Sequence, residues 1–187
     1  DKRSRSVYVK FLLKDDKGKL LKMDIDPENT YVLIWTTTIW TLPGNVAISV
    51  NPEFTYSIVK AGSEKYIVAK ELLEDVMKVA EISEYTVLGE ISGADMEYMV
   101  TSHPFLDRDS LVITGDHVTL DAGTGCVHTA PGHGVEDFDV CKNYDSLKVV
   151  VPVDGKGILT KEAGPFEGLT YNEGKKGVFG HIKTFSF

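Results

Sequence analysis

The spacing of the apolar residues constrains this chain more than any other feature. They come in short runs, rich in β-branched and aromatic residues, and each run is closed by glycine, proline, asparagine or aspartate. Runs of four to eight such residues with period two are the pattern of strands. Val7–Leu13 is one, followed by the turn signal Lys14-Asp15-Asp16-Lys17-Gly18, so Leu20–Ile25 reads as its hairpin partner. Tyr31–Thr38 (YVLIWTTT) is apolar on both faces at its start, which predicts a central, buried strand. Leu42-Pro43-Gly44-Asn45 breaks it. Further short strands are predicted over Val46–Val50, Thr55–Lys60, Lys65–Val68, Tyr85–Leu88, Glu97–Val100, Leu111–Thr114, His117–Leu120, Gly125–Thr129 and Lys148–Val153.

The period changes in three places. In Glu71–Ala80, Leu72, Leu73, Val76, Val79 and Ala80 share one helical stripe with acids opposite. Glu136–Tyr144 reads as a helix with Phe138 and Cys141 on one stripe and acids in its first turn. Asn172–Thr184 reads as a third helix, against the low propensity of Gly174, Gly177 and Gly180. About ten short strands and two or three helices predict a mainly β fold with peripheral helices (α+β) around a β-barrel-like core. The 187 residues suit one domain, 1–187, with no internal boundary. Asp at position 1 leads us to expect a piece cut from a longer chain.

Twenty basic against 28 acidic residues leave a net charge of −8. A free-standing DNA or RNA binder normally presents a basic face, so that class is disfavoured, while a nucleic acid gripped mainly by another domain is not. No apolar run approaches the ~20 residues of a membrane span, and no secretory signal is evident. Two cysteines, Cys126 and Cys141, are too few for a disulfide scaffold and suggest reduced thiols in cytoplasm.

Two segments offer chemistry: Trp35-Thr36-Thr37-Thr38-Ile39-Trp40-Thr41, and Gly123–Phe138 (GTGCVHTAPGHGVEDF). Threonines are good strand formers, but four in six positions at a strand end can also orient a water or an ester oxygen. Without an adjacent base they are not activated nucleophiles. In the second segment, Cys126, His128 and His133 invite a metal reading, yet C-x-H-x4-H matches no common zinc spacing. Cys126 in an apolar strand should be an inert thiol. A strand, then Pro-Gly-His-Gly, then a helix would bring His128 and Asp137 to one cleft. Asp137 can equally serve the helix dipole, and His128 can be a satisfied buried histidine. The glycines serve tight turns or close approach of a ligand.

Both segments closely resemble the inserted editing domain of isoleucyl-tRNA synthetase, as do His103–Thr119 (HPFLDRDSLVITGDHVT) and the PVDGKGILT…FEGL residues within Pro152–Leu169. The resemblance runs from about Tyr31 to Tyr171 with the motifs in order. The related valine and leucine domains carry TTRP-type and PAH-type motifs instead. One departure is Ile39, where that family usually has proline. The resemblance implies a β-barrel-like core of the Val/Ile/Leu-tRNA synthetase editing-domain type and hydrolysis of mischarged valyl-tRNA(Ile), with isoleucyl excluded by pocket size.

By the same resemblance, Thr37, Thr38, His128 and Asp137 form the catalytic set, and Thr36, Trp40, Asn45, His133 and Gly134 bind substrate. Asp137 would take the α-ammonium, His128 would meet the terminal ribose and limit side-chain size, and the threonines would place the ester carbonyl and water. No metal and no cofactor are expected for editing, since ATP belongs to the synthetase core. The implied partners are the 3′ CCA end of tRNA(Ile) bearing valine and the rest of the synthetase chain. DNA and membrane are not expected, and a monomer is. Three rivals remain: a metal-dependent hydrolase using Cys126, His128 and His133, a non-catalytic tRNA-binding module, and, within the same chemistry, a valine-type editing domain acting on threonyl esters.

Overall fold

A computed structural model describes residues 6–182 and 184–186. The strands are β1 Val7–Asp15, β2 Thr30–Thr36, β3 Ala47–Val50, β4 Thr55–Ala61, β5 Glu64–Ala69, β6 Thr86–Ser92, β7 Val100–Ser102, β8 Asp109–Thr114, β9 Cys126–Thr129 and β10 Thr184–Ser186. The helices are α1 Leu73–Val79, α2 Gly93–Met96, α3 Val135–Cys141 and α4 Tyr171–His181, with short 3-10 turns between elements. The ladder runs β6-β4-β5-β2-β1-β7-β8-β3-β9, and β10 pairs with β1. Pairs β2–β5 and β3–β8 are parallel; the other ladder pairs are antiparallel.

The last strand of this path, β9, packs back against β2. Strands β2-β1-β7-β8-β3-β9 therefore close on themselves, and β5-β4-β6 extend from β2 as a wing. This is the barrel-like core that the strand pattern predicts. Val32, Leu33 and Ile34 in β2 are fully buried, as expected of a strand covered on both faces. They join Phe11, Ile48, Ile58, Ile67 and Met77 in one continuous core. A smaller cluster of Val46, Ala47, Ile113, Cys141 and Tyr144 seats α3 against β3 and β8. Among the described residues, no helix is long and apolar enough to cross a membrane.

Several local expectations fail for identifiable reasons. Leu20–Ile25 is not the partner of β1: the Asp16 carboxylate accepts from the amides of Gly18 (3.1 Å) and Leu20 (2.9 Å), winding the chain into a 3-10 turn at Leu21–Met23. Only Leu20 and Ile25 are then buried. Strand β7 starts at Val100 rather than Glu97, because Ser92 caps α2 by accepting from Asp95 N–H at 3.1 Å. His117–Leu120 finds no ladder partner and stays a loop, with Val118 alone buried. Lys148–Val153 is extended but pairs only through a Val153–Leu159 bridge, leaving Val149 and Val151 exposed. In α1 the buried stripe is Leu73, Val76 and Met77, with Val79 turned outward.

Helix α4 forms despite its glycines. Thr170 and Glu173 make a reciprocal capping box, and side chains at Gly174 and Gly177 would collide with Leu159 and Phe166. The glycines permit that close approach, so what they lose in propensity is offset by contact.

Candidate active site

The two motifs, separated by more than 80 residues, fold onto each other. Strand β3, just after the threonine segment, pairs with β9 so that Ile48 faces His128 and Ala47 faces Thr129. A 3-10 turn spans Ile39–Gly44 between β2 and β3. Ile39 is its first residue, where proline's fixed φ and missing N–H are tolerated, so the departure from the family pattern changes no geometry and adds a buried side chain. Gly123, at φ +81°, lies against Trp35: a Cβ there would approach Trp35 Cβ to 3.1 Å. Gly44 lies under the His133 ring, at 2.9 Å from Cδ2 by the same construction.

His128 is the knot of this contact. Its Nδ1 meets the Asn45 amide nitrogen at 2.8 Å, and its Nε2 meets Thr41 Oγ1 at 2.9 Å. An amide nitrogen can only donate, so Nδ1 carries the lone pair and Nε2 carries the proton. Thr41 passes its own hydroxyl proton to the Thr38 carbonyl at 2.8 Å. Asn45, fully buried, also donates to Ala47 O at 2.9 Å and accepts from Ser110 Oγ at 2.7 Å. Every donor from Ser110 to Thr41 is thus directed. Burial, then the neighbouring His103 and His133, push the His128 pKa down to about 3. The ring is neutral near pH 7, with both nitrogens engaged inside the protein. The ribose contact expected of His128 therefore has no free nitrogen in this arrangement; the ring instead fixes the Thr38–Thr41 turn.

The threonines divide their tasks. Thr36 is buried and its hydroxyl accepts from Thr38 N–H at 3.0 Å, folding the strand end over. The hydroxyls of Thr37 and Thr38 are part-exposed and make no hydrogen bond among the described residues. They are the ones free to meet a ligand. Trp40 is clamped by α4, edge-to-face with Tyr171 at 5.6 Å and under the Lys175 ammonium at 4.5 Å.

Asp137 lies in the first turn of α3. Its Oδ2 accepts from Ala130 N–H at 2.8 Å, which ties the helix to the residue that follows β9. No other protein donor reaches the carboxylate among the described residues. Gly134 lies beneath it, with Asp137 Cγ 3.6 Å from where a Cβ would sit. Burial raises the Asp137 pKa, opposed by the Ala130 amide and by His117. His133 is shifted down by burial against the pull of Asp137.

The residues missing from the sequence reading are those that brace the turn. Arg108 donates to Pro43 O at 2.7 Å and Asn45 O at 3.1 Å. His103 donates from Nε2 to Leu42 O at 2.7 Å and accepts at Nδ1 from the amides of Phe105 and Leu106. Both belong to the HPFLDRDS stretch, whose polar residues amid turn signals were the available hint. Of the residues of the metal reading, His128 has both nitrogens engaged within the protein and Cys126 is buried, and no group of three acids, histidines or cysteines that could hold an ion occurs among the described residues. A wider cleft of about 850 Å³ on the wing, lined by Glu53, Phe54, Lys70, Glu74, Tyr85 and Glu90 among others, includes no residue of either motif.

A family model described as leucyl-tRNA synthetase, editing domain, matches residues 14–182. The chain belongs to the leucyl-tRNA synthetase editing-domain family. In sequence this editing domain is similar to isoleucine–tRNA ligases: 56% identical to that of Caldicellulosiruptor bescii over 93% of the chain, and 56% to that of Bacillus cereus strain B4264 over 94%. It spans 19% and 18% of those proteins' lengths. In structure it is similar to a crystal structure titled GlLeuRS-CP1, with TM-score 0.74, 16% identity and 94% of each chain covered. It is also similar to the editing domain of P. knowlesi cytosolic leucyl-tRNA synthetase, with TM-score 0.72, 11% identity and 98% and 97% covered. At such identities these two show the shared fold. The isoleucine branch rests on the sequence relatives.

Removing Asn45 tests the network directly. Asn45→Ala strands His128 Nδ1 and the Ser110 hydroxyl in the core, at roughly 1–3 kcal/mol for each group left buried and unmet. Urea denaturation should show a midpoint lowered accordingly; an unchanged midpoint would mean the network contributes nothing.

Proposed function

We propose that this editing domain hydrolyses the ester of valyl-tRNA formed in error on tRNA(Ile) and spares isoleucyl-tRNA(Ile). The observation that carries the reading is the junction of the two motifs. Free Thr37 and Thr38 hydroxyls lie on a turn locked by His128, and an under-bonded Asp137 carboxylate is tied to the end of the same strand that carries His128. The similarity to isoleucine–tRNA ligases supports the choice of amino acid.

The chemistry needs only placement. An aminoacyl ester is already prone to hydrolysis, and its α-ammonium pairs with Asp137. Thr37 and Thr38 hold the carbonyl and the attacking water, so orientation and polar stabilisation supply the rate. Asn45 and His133 steady the turn from behind, Trp40 forms its wall toward α4, and Gly134 keeps the space beneath the carboxylate clear. His128 sets the size of the pocket by fixing where that wall stands. Isoleucine exceeds valine by one methylene, which an apolar synthetic pocket resolves by only ~1–3 kcal/mol, a magnitude established for isoleucyl-tRNA synthetases. Forcing that methylene into a rigid second pocket costs roughly the same again, so the two selections multiply.

The partner is the single-stranded 3′ CCA end of tRNA(Ile), presented by the rest of a synthetase chain in the cytoplasm. With net charge −8, the domain alone should hold tRNA weakly. The test is deacylation of valyl- and isoleucyl-tRNA(Ile) by this domain, with and without exhaustive chelation. Valyl ester should be cleaved at least 10-fold faster, and chelation should leave the rate unchanged. Equal rates on both esters, or activity restored only by added zinc, would overturn the reading. tRNA binding without cleavage would favour a recognition module.

A further inference from the structure

Helix α4 turns an aromatic and basic flank to solvent beside the threonine turn. Tyr171, Lys175 and Phe179 recur every fourth residue, about 6 Å apart along the axis, so they form one stripe. Both rings are well exposed, at 38% and 39%, while Gly174 and Val178 on the adjoining flank are buried.

The stripe begins at the candidate site. Trp40 is the second residue of the Ile39–Gly44 turn, which follows directly on Thr38. Its ring meets Tyr171 edge-to-face at 5.6 Å and the Lys175 ammonium at 4.5 Å. The far end of α4 is held by Phe166, edge-on to His181 at 5.2 Å and to Phe105 at 5.5 Å. Phe105 in turn abuts His103, which braces Leu42 in the same turn. Helix and turn are thus joined at both ends of the helix.

The charge of α4 runs against that of the chain. It carries Lys175 and Lys176 with one acid, Glu173. That carboxylate is engaged in the cap, accepting from Thr170 N–H at 3.0 Å and from Thr170 Oγ1 at 2.8 Å. Lys175 makes no salt bridge among the described residues; its ammonium rests on Trp40.

We propose that this stripe is a platform for the single-stranded 3′ CCA end of tRNA, with bases stacked on Tyr171 and Phe179 and a backbone phosphate held by Lys175. Aromatic faces accept any base, and an ammonium between two of them meets the phosphate that links the stacked bases. On a chain of net charge −8, a local positive patch is what lets an anion approach. A duplex end keeps its bases stacked on one another and offers no such faces. The inference rests on the proposed function: the ester lies at Thr37 and Thr38, and the nucleotides before the terminal adenosine run along α4.

The experiment follows the amide shifts of the chain by NMR as a single-stranded RNA ending in CCA, without an amino acid, is added. The shifts should cluster on α4 and on the Ile39–Gly44 turn. Phe179→Ala, which leaves the Trp40 contacts in place, should weaken binding at least about 5-fold, the lower end for one stacked base. Lys175→Gln should weaken it too, and should flatten the slope of log affinity against log salt by about 0.7. Its loss in kcat/KM should be larger on valyl-tRNA(Ile) than on the 3′-valyl ester of adenosine, which has no phosphate. If the lysine only holds Trp40 in place, both esters suffer alike. Equal losses on the two esters, parent-like RNA binding in both variants, or shifts away from α4 overturn the platform. So does hexaglutamate bound as tightly through the same residues, which would make the stripe a protein-docking surface. RNA held on α4 by a chain that cleaves neither ester would support the platform and overturn the functional reading.

Discussion

Asp137→Ala should lower kcat/KM for valyl-tRNA hydrolysis on the order of 10- to 100-fold, the equivalent of the ~1.5–3 kcal/mol that a charge-assisted hydrogen bond contributes. Among the described residues the carboxylate receives one hydrogen bond, from Ala130. Removing it deprives the ester's ammonium of its counter-charge and of the anchor that fixes which way the side chain points. Asp137→Asn should lose nearly as much, because an amide preserves the Ala130 contact but not the charge. Stability should fall far less than activity, since Asp137 is only half-buried. Burial raises the Asp137 pKa, so activity should fall as pH drops through that raised value and the acid takes its own proton. Single-turnover deacylation across pH measures all three effects. Near-parent rates in Asp137→Ala would remove the central residue from the mechanism.

The domain should also be conspicuously acid-labile. His103 and His128 are buried and neutral, with pKa values pushed down by burial to about 4 and about 3. Each nitrogen's role is fixed, at His103 by the Leu42 carbonyl and the Phe105 and Leu106 amides, and at His128 by Asn45 and Thr41. In the unfolded chain both titrate near the ordinary ~6.5. The unfolded state therefore binds protons first: stability is fully present above about pH 6.5 and is lost as pH falls toward the folded values. Two protons give a slope of roughly 2.7 kcal/mol per pH unit, or on the order of 5 kcal/mol by pH 4.5, which is comparable to the whole stability of many domains. Asp137, with its raised pKa, works in the opposite sense for a single group. Urea midpoints between pH 7 and 5 should show an uptake near two protons on unfolding, and His128→Gln should remove about one. A flat profile over that range would show that neither ring is held neutral.

The residue pattern reached the barrel through its alternation. Tyr31–Ile34 is apolar on both faces because β2 is flanked by β1 and β5 and closed upon by β9, and that is visible locally. What was not visible is partnership. Lys148–Val153 has the composition of a strand but pairs only at Val153, with Leu159, while His117–Leu120 is carried off the sheet. Leu20–Ile25 was misread because the Asp16 carboxylate competes with a hairpin for the same amides. At the site, Thr36–Thr38, His128 and Asp137 were legible as residues. The hydrogen-bond directions that make His128 a brace were not, because they depend on Asn45, Thr41 and Ser110 meeting across more than 60 positions of sequence.

The pairing of β1 with β10 has a mechanical consequence. Val7 stands directly opposite Ser186, so the first and last described strands are fastened to each other on a single rung. These two ends of the β-structure cannot part without breaking the backbone hydrogen bonds of that ladder.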